Sequence, residues 1–168
     1  MRKVFIIGIC GAGKSTLARQ LSQKIEFPVI HLDQYYWKSG WVTQEKKDFE
    51  NKVKELSKQE SWIMDGNYSS TFNIRFAQAD TLIVLDYSRY MAIFRSTKRI
   101  ISYYGKSRPD MSSNCPERFD LDFYKYMWKF NKQHKPRTDQ AIKDYGSNLN
   151  IYRFKQPKEA QAFLDSLN

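Results

Sequence analysis

Residues 8–15 read Gly-Ile-Cys-Gly-Ala-Gly-Lys-Ser, which fits G-x-x-x-x-G-K-[ST] without a gap, and the flanking residues limit what such a loop can join. Before it runs Lys3-Val4-Phe5-Ile6-Ile7, a β-branched and aromatic stretch that reads as a buried strand. After it, Leu17, Ala18, Leu21 and Ile25 recur at helical spacing, so a helix starts near Lys14. Strand, glycine loop and helix together make an anion cradle. Gly8, Gly11 and Gly13 are open to backbone angles closed to residues with a Cβ. Ala12, Lys14, Ser15 and Thr16 complete the loop, whose amides face one concavity with the positive end of the helix dipole behind them. The pattern places Lys14 at β- and γ-phosphates and the Ser15 hydroxyl on Mg²⁺.

The rest of the chain alternates in the same way. Strands are expected at 28–33, 62–65, 81–86 and 150–154. Helices are expected at about 44–58, 88–104 (with Ile93, Phe94, Thr97, Ile100 and Ile101 inward), 120–130, 137–143 and after Pro157. Residues 106–118, rich in Pro, Ser, Asn and charge, read as a mobile loop. Alternation of this kind argues for an α/β protein with a parallel sheet covered on both faces, and ligands then bind beyond the carboxyl ends of the strands. Gly8, Asp33, Asp65 and Asp86 all fall at such ends.

The 168 residues suit one domain, 1–168, large enough to bury a core. The opening Arg2-Lys3 and apolar run leads straight into the glycine loop, so it reads as a strand rather than a signal peptide. No apolar stretch is long enough to span a bilayer, and Cys10 and Cys115 are too few for a disulfide framework; the expectation is a reduced, cytoplasmic protein without membrane partners. A net charge of +10 is spread along the chain, which favours a phosphate-handling cleft over a dedicated nucleic-acid arm.

With these pieces in place the chain resembles the P-loop nucleoside and nucleotide kinases related to adenylate kinase, and more narrowly the bacterial DNA topology modulation proteins. The likeness rests on Gly8 to Thr16, His31-Leu32-Asp33 with Trp37 and Trp41, and Trp62-Ile63-Met64-Asp65-Gly66-Asn67-Tyr68. It continues through Ala79-Asp80-Thr81, Leu82 to Asp86, Arg108-Pro109-Asp110-Met111 and Cys115-Pro116-Glu117-Arg118. It implies a three-layer α/β/α fold with a five-stranded parallel sheet in the order 2-3-1-4-5, a mobile lid at about 105–118, and ATP with Mg²⁺.

The resemblance also assigns candidate roles. Asp33, followed by Tyr35-Tyr36-Trp37, is similar to the acid that accepts the acceptor hydroxyl's proton in uridine kinase-like enzymes. Asp65 is similar to the Asp-Gly acid that helps hold hydrated Mg²⁺, with Asp86 as the alternative. Arg99 and Arg108, then Arg95 and Arg118, are the candidates for neutralising the transferring phosphoryl group. The sequence departs from adenylate kinases after Asp65-Gly66, and Arg75 is the nearest arginine downstream. Tyr35, Tyr36, Trp37 and Trp41 suggest an acceptor pocket. The aromatic group at 119–130 reads mainly as core, and residues 153–157 as main chain around an adenine. His31, His134 and Cys10 receive no role. The expectation is an ATP- and Mg²⁺-dependent phosphotransferase acting on a small nucleoside, nucleotide or similar acceptor. The alternatives are a nucleotide-binding regulator of DNA topology or gene expression, for which no nucleic-acid-reading motif is visible, and a bare ATPase switch.

Overall fold

A computed structural model describes residues 1–167. Its sheet strands are β1 (Lys3–Gly8), β2 (Val29–His31), β5 (Trp62–Asp65), β6 (Thr81–Leu85) and β7 (Asn150–Phe154), paired in the order β2-β5-β1-β6-β7. Every pairing is parallel. Two short strands, β3 (Trp37–Lys38) and β4 (Val42–Thr43), form a separate antiparallel hairpin. With the hairpin set aside, the strand order is the expected 2-3-1-4-5.

The central strand shows why the layers form. Val4 and Ile6 point into one apolar core, and Phe5 and Ile7 into another on the opposite face. The first core is covered by α1 (Lys14–Ile25), α5 (Arg89–Ser102), α6 (Leu121–Gln133) and α8 (Pro157–Asp165). The second is closed by α3 (Lys46–Leu56) and α4 (Phe72–Gln78), with Ala141 and Ile142 of α7 (Lys135–Tyr145) added. On α3, Phe49, Val53 and Leu56 are buried, as their spacing dictates.

Several features depart from the sequence pattern. The second strand stops at His31, and Asp33 opens a single helical turn, α2 (Asp33–Tyr36). The hairpin and α4 carry too short a period to be read from sequence. On α5 the buried residues are Ala92, Ser96 and Ile100, whereas Phe94 and Ile101, expected inward, are exposed. A helix this rich in apolar residues satisfies two different stripes, and close approach to the phosphate loop selects the one with small side chains.

The 104–118 segment has structure of its own. Tyr104 bridges to Glu117 and Ser107 to Pro116. It is also fastened to the hairpin and α2. Trp41 Nε1 donates to Pro116 O at 3.0 Å, the Gly40 amide to Asn114 O at 2.9 Å, Cys115 Sγ to Lys38 O at 3.3 Å, and Gln34 Nε2 to Pro109 O at 2.9 Å. Trp41 takes φ 64, a left-handed conformation that costs a bulky residue roughly 1–2 kcal/mol, and its indole hydrogen bond to Pro116 offsets that cost.

Candidate active site

The phosphate loop leaves β1 and enters α1 through Gly13, the N-cap residue, at φ 94. Gly11, at φ 80, packs directly beneath α5: a Cβ there would lie 2.3 Å from Ala92 O and 2.4 Å from Ser96 Oγ. Gly11→Ala therefore combines left-handed strain with a backbone clash, and is expected to cost about 3 kcal/mol in urea unfolding. The Lys14 ammonium donates to Gly8 O at 2.9 Å and Ile9 O at 3.3 Å, so it lies folded along the loop it is expected to complete.

The Asp65-Gly66-Asn67-Tyr68 segment at the end of β5 supplies three separate contacts. Asp65 Oδ1 accepts from His31 Nδ1 at 2.7 Å, with both side chains buried. Asn67 Oδ1 accepts from the Gly8 amide at 3.0 Å, tying the segment to the phosphate loop. The Tyr68 hydroxyl donates to Asp33 Oδ1 at 2.5 Å. Burial pushes the Asp33 carboxyl above its ordinary range; Tyr68, Lys14 and Arg108 pull the other way without cancelling it. Burial pushes His31 down, but the hydrogen bond and charge of Asp65, with Asp110 beyond, leave it raised.

Arg75 holds this segment from below. It is wholly buried, donates to the carbonyls of Gly66 (2.8 Å), Asn67 (2.8 Å) and Tyr68 (3.0 Å) and to Thr71 Oγ1 (3.1 Å), and lies over the rings of Phe5 and Phe72. Burial lowers its pKa to about 9, so it stays charged at neutral pH. Its donors are spent on main chain, which removes it as a candidate ligand-binding arginine.

Arg99 of α5 and Arg108 of the 104–118 segment converge on one buried acid, Glu117, at 3.1 and 2.5 Å. Arg108 also pairs with Asp110 at 2.8 Å. Burial pushes Asp110 up, but the Arg108 charge and a hydrogen bond from Ser15 hold its carboxyl below the usual range. Asp110 thus faces the loop residue expected to carry a metal. Arg95 places a guanidinium nitrogen 3.9 Å from where a Gly13 Cβ would sit, so it attends the loop itself. Arg118 lies at the cavity wall with Asp120 4.0 Å away.

One cavity of about 1360 Å³ is lined by Gly11 to Thr16, Asp33, Asp65, Arg95, Arg99, Arg108 and Arg118. Tyr36, Trp37, Trp41 and Tyr68 form an aromatic side of it, with Tyr36 4.6 Å from Tyr68 and Trp37 5.3 Å from Trp41, centroid to centroid. Phe123 and Tyr126 of α6 also face the cavity, while Met127 and Phe130 enter the core as that helix's spacing implied. Cys10 is half-buried, packed against the core at the cavity lining. Asp86 is not part of it: Lys135 at 2.7 Å and Arg153 at 3.3 Å engage its carboxylate and hold it below the usual range against its burial. Of the two acids that sequence left open, Asp65 is the one at the cavity.

Sequence reasoning missed His31, Tyr68, Asp110 and Glu117 as parts of this network. The first two had a signal in their positions beside Asp65 and Asp33. Asp110 and Glu117 had none, because an acid next to arginines in a polar loop looks like ordinary surface charge. Among the described residues no group of three or more His, Cys, Asp or Glu side chains is placed to hold a metal ion. The Ser15 hydroxyl with the Asp65 and Asp110 carboxylates is an all-oxygen donor set, which fits Mg²⁺ held mainly by phosphate and water.

Comparison with known proteins bears on this geometry. No curated protein matches the chain in sequence. Among solved structures, shikimate kinase from Acinetobacter baumannii in complex with shikimate superposes with a TM-score of 0.64 at 12% identity, covering 98% of this chain and 92% of the other. Shikimate kinase from Bacteroides thetaiotaomicron gives 0.60 at 16%, covering 98% and 94%. Deoxyadenosine kinase from M. mycoides gives 0.52 at 15%, covering 96% and 94%. These matches show the P-loop kinase fold; they carry nothing of the narrower resemblance to DNA topology modulation proteins. The family model described as an AAA domain matches residues 4–108, from the first strand into the 104–118 segment. That span is more than half of the protein, and the chain belongs to the AAA domain family.

Proposed function

We propose that this protein is an ATP- and Mg²⁺-dependent kinase that phosphorylates a hydroxyl on a small, ring-bearing acceptor. The observation that carries this is convergence: a phosphate loop, a half-buried acid with raised pKa and two paired arginines face one cavity. At about 1360 Å³ that cavity exceeds the ~300–1,000 Å³ of single-ligand pockets and has room for donor and acceptor together.

The loop amides and Lys14 bind the β- and γ-phosphates, for which Lys14 swings from the Gly8 and Ile9 carbonyls. Ser15, supported by Asp65, would hold Mg²⁺, which supplies charge neutralisation on the phosphate oxygens. Tyr36, Trp37 and Trp41 stack against the acceptor and orient its hydroxyl toward Asp33. As the acceptor oxygen bonds to the γ-phosphorus, the bond to the β–γ bridging oxygen breaks, Asp33 takes the hydroxyl proton, and ADP leaves. Arg99 and Arg108 stabilise the transferring group once Glu117 shares them with it.

Thermal unfolding with a non-hydrolysable Mg²⁺-ATP analogue tests the donor site. At 100 times Kd the analogue should stabilise the wild type by about 2.7 kcal/mol. Lys14→Ala should keep the ligand-free melting temperature and lose most of the analogue's shift. A full shift in that variant would discard the site. Acceptor-dependent ADP formation across nucleosides, nucleotides and other small hydroxyl compounds then tests the transfer.

A further inference from the structure

Helix α5 carries a second stripe that the core does not use. Tyr90, Phe94 and Ile101 share its outer face, and Tyr104 follows just beyond its end. Helix α6, packed beside it, presents Leu121 and Trp128 on its own outer face, with Phe119 just before it. The stripes meet at both ends: Tyr90 lies 6.0 Å from Trp128, and Tyr104 6.1 Å from Phe119, centroid to centroid. These seven large side chains are each between 51% and 78% exposed. On the area of such side chains this is a patch of roughly 900 Å², beyond the ~300–600 Å² of the largest patch on a typical monomer.

We infer that this face is the interface of a two-fold homodimer. Three observations select a second copy of the chain as its occupant. The area matches the ~800 Å² that each partner contributes to a stable interface. The composition, mostly Tyr, Phe and Trp, is that of an interface core. The patch is also self-complementary, since both ends are aromatic. A two-fold axis near Phe94 and Ile101 sets the Tyr90–Trp128 end of one copy on the Tyr104–Phe119 end of the other. Lys98, four residues after Phe94 and three before Ile101 on the same helix face, is exposed, so the two copies bring like charges together near the axis, whereas Lys125 is paired with Asp122 at 2.9 Å. Salt therefore strengthens this association, whereas it would weaken binding to an anionic partner.

Tyr104 and Phe119 stand at the two roots of the 105–118 segment, so the partner copy seats against both hinges of the lid. The inference does not depend on the phosphotransferase reading.

Sedimentation velocity of the full chain from about 1 to 100 µM tests it, as order-of-magnitude concentrations bracketing ordinary dimer affinities. The expected species has twice the 20.0 kDa mass of the chain, and its dissociation constant falls as salt is raised. Phe94→Glu with Ile101→Glu should weaken dimerisation at least 100-fold, with the circular dichroism spectrum and thermal unfolding retained. Trp128→Glu, on the other helix, should do the same and guards against misfolding of the first variant. Four results would overturn the proposal: a monomer throughout the range, a dimer indifferent to both variants, a dimer loosened by salt, or a monomer that floats with phosphatidylserine vesicles.

Discussion

Asp33→Asn should lower acceptor-dependent phosphoryl transfer by about 10²–10⁴-fold, the usual contribution of a positioned base. The substitution keeps shape and keeps an oxygen to accept the Tyr68 hydroxyl, so the fold and the binding of an ATP analogue should be unchanged. What it removes is a carboxylate at the cavity wall whose affinity for a proton burial has raised. The pH profile adds a sign. Asp33 acts as the carboxylate, so the wild-type rate should fall on acidification, with a midpoint above the ordinary aspartate value because burial outweighs its partners. Tyr68→Phe deletes a hydrogen bond that favours the carboxylate, so the acidic limb should move to higher pH. Single-turnover rates read against pH measure both effects. An Asp33→Asn enzyme with wild-type turnover, or a Tyr68→Phe limb that moves down, contradicts the assignment.

Arg75→Met should destabilise the protein by about 2–5 kcal/mol in urea or thermal unfolding, a large fraction of a typical domain's stability. Methionine fills comparable volume beside Phe5 and Phe72 but leaves the Gly66 and Asn67 carbonyls without donors, while the Tyr68 carbonyl keeps only those of Thr71. Arg75→Lys should rescue little, since one ammonium does not span a fan of three carbonyls and a threonine hydroxyl. Those carbonyls belong to the segment that orients Asn67 toward Gly8 and Tyr68 toward Asp33, so turnover should fall in the variant that remains folded. A neutral effect of Arg75→Met would mean that water substitutes for the guanidinium at this buried position.

Much of this was legible in the chain itself. The phosphate loop and the five strands follow from apolar periodicity and one glycine pattern, because both report local backbone geometry; the order of the strands came only with the family resemblance. Asp33 and Asp65 were legible for the same reason: strand ends in a parallel sheet share one edge. The role of Arg75 was not, since nothing local distinguishes an arginine aimed at solvent from one folded inward onto carbonyls nine residues or fewer behind it. The α5 faces failed for a related reason. Phe94 and Ile101 are apolar enough to be core, and only the close approach of Gly11 to Ala92 and Ser96 decides which stripe turns inward. Glu117 was hidden by sequence distance, being eighteen residues from Arg99 and meaningful only once the lid folds back.

The four hydrogen bonds joining the 37–43 hairpin and its neighbouring helical turn to the 104–118 segment have a kinetic consequence. Neither flap can lift without releasing the other, so the two halves of the cleft share a single doorway. In the proposed reaction, entry of one compound and departure of the other then run on the same clock, set by how often that latch comes undone.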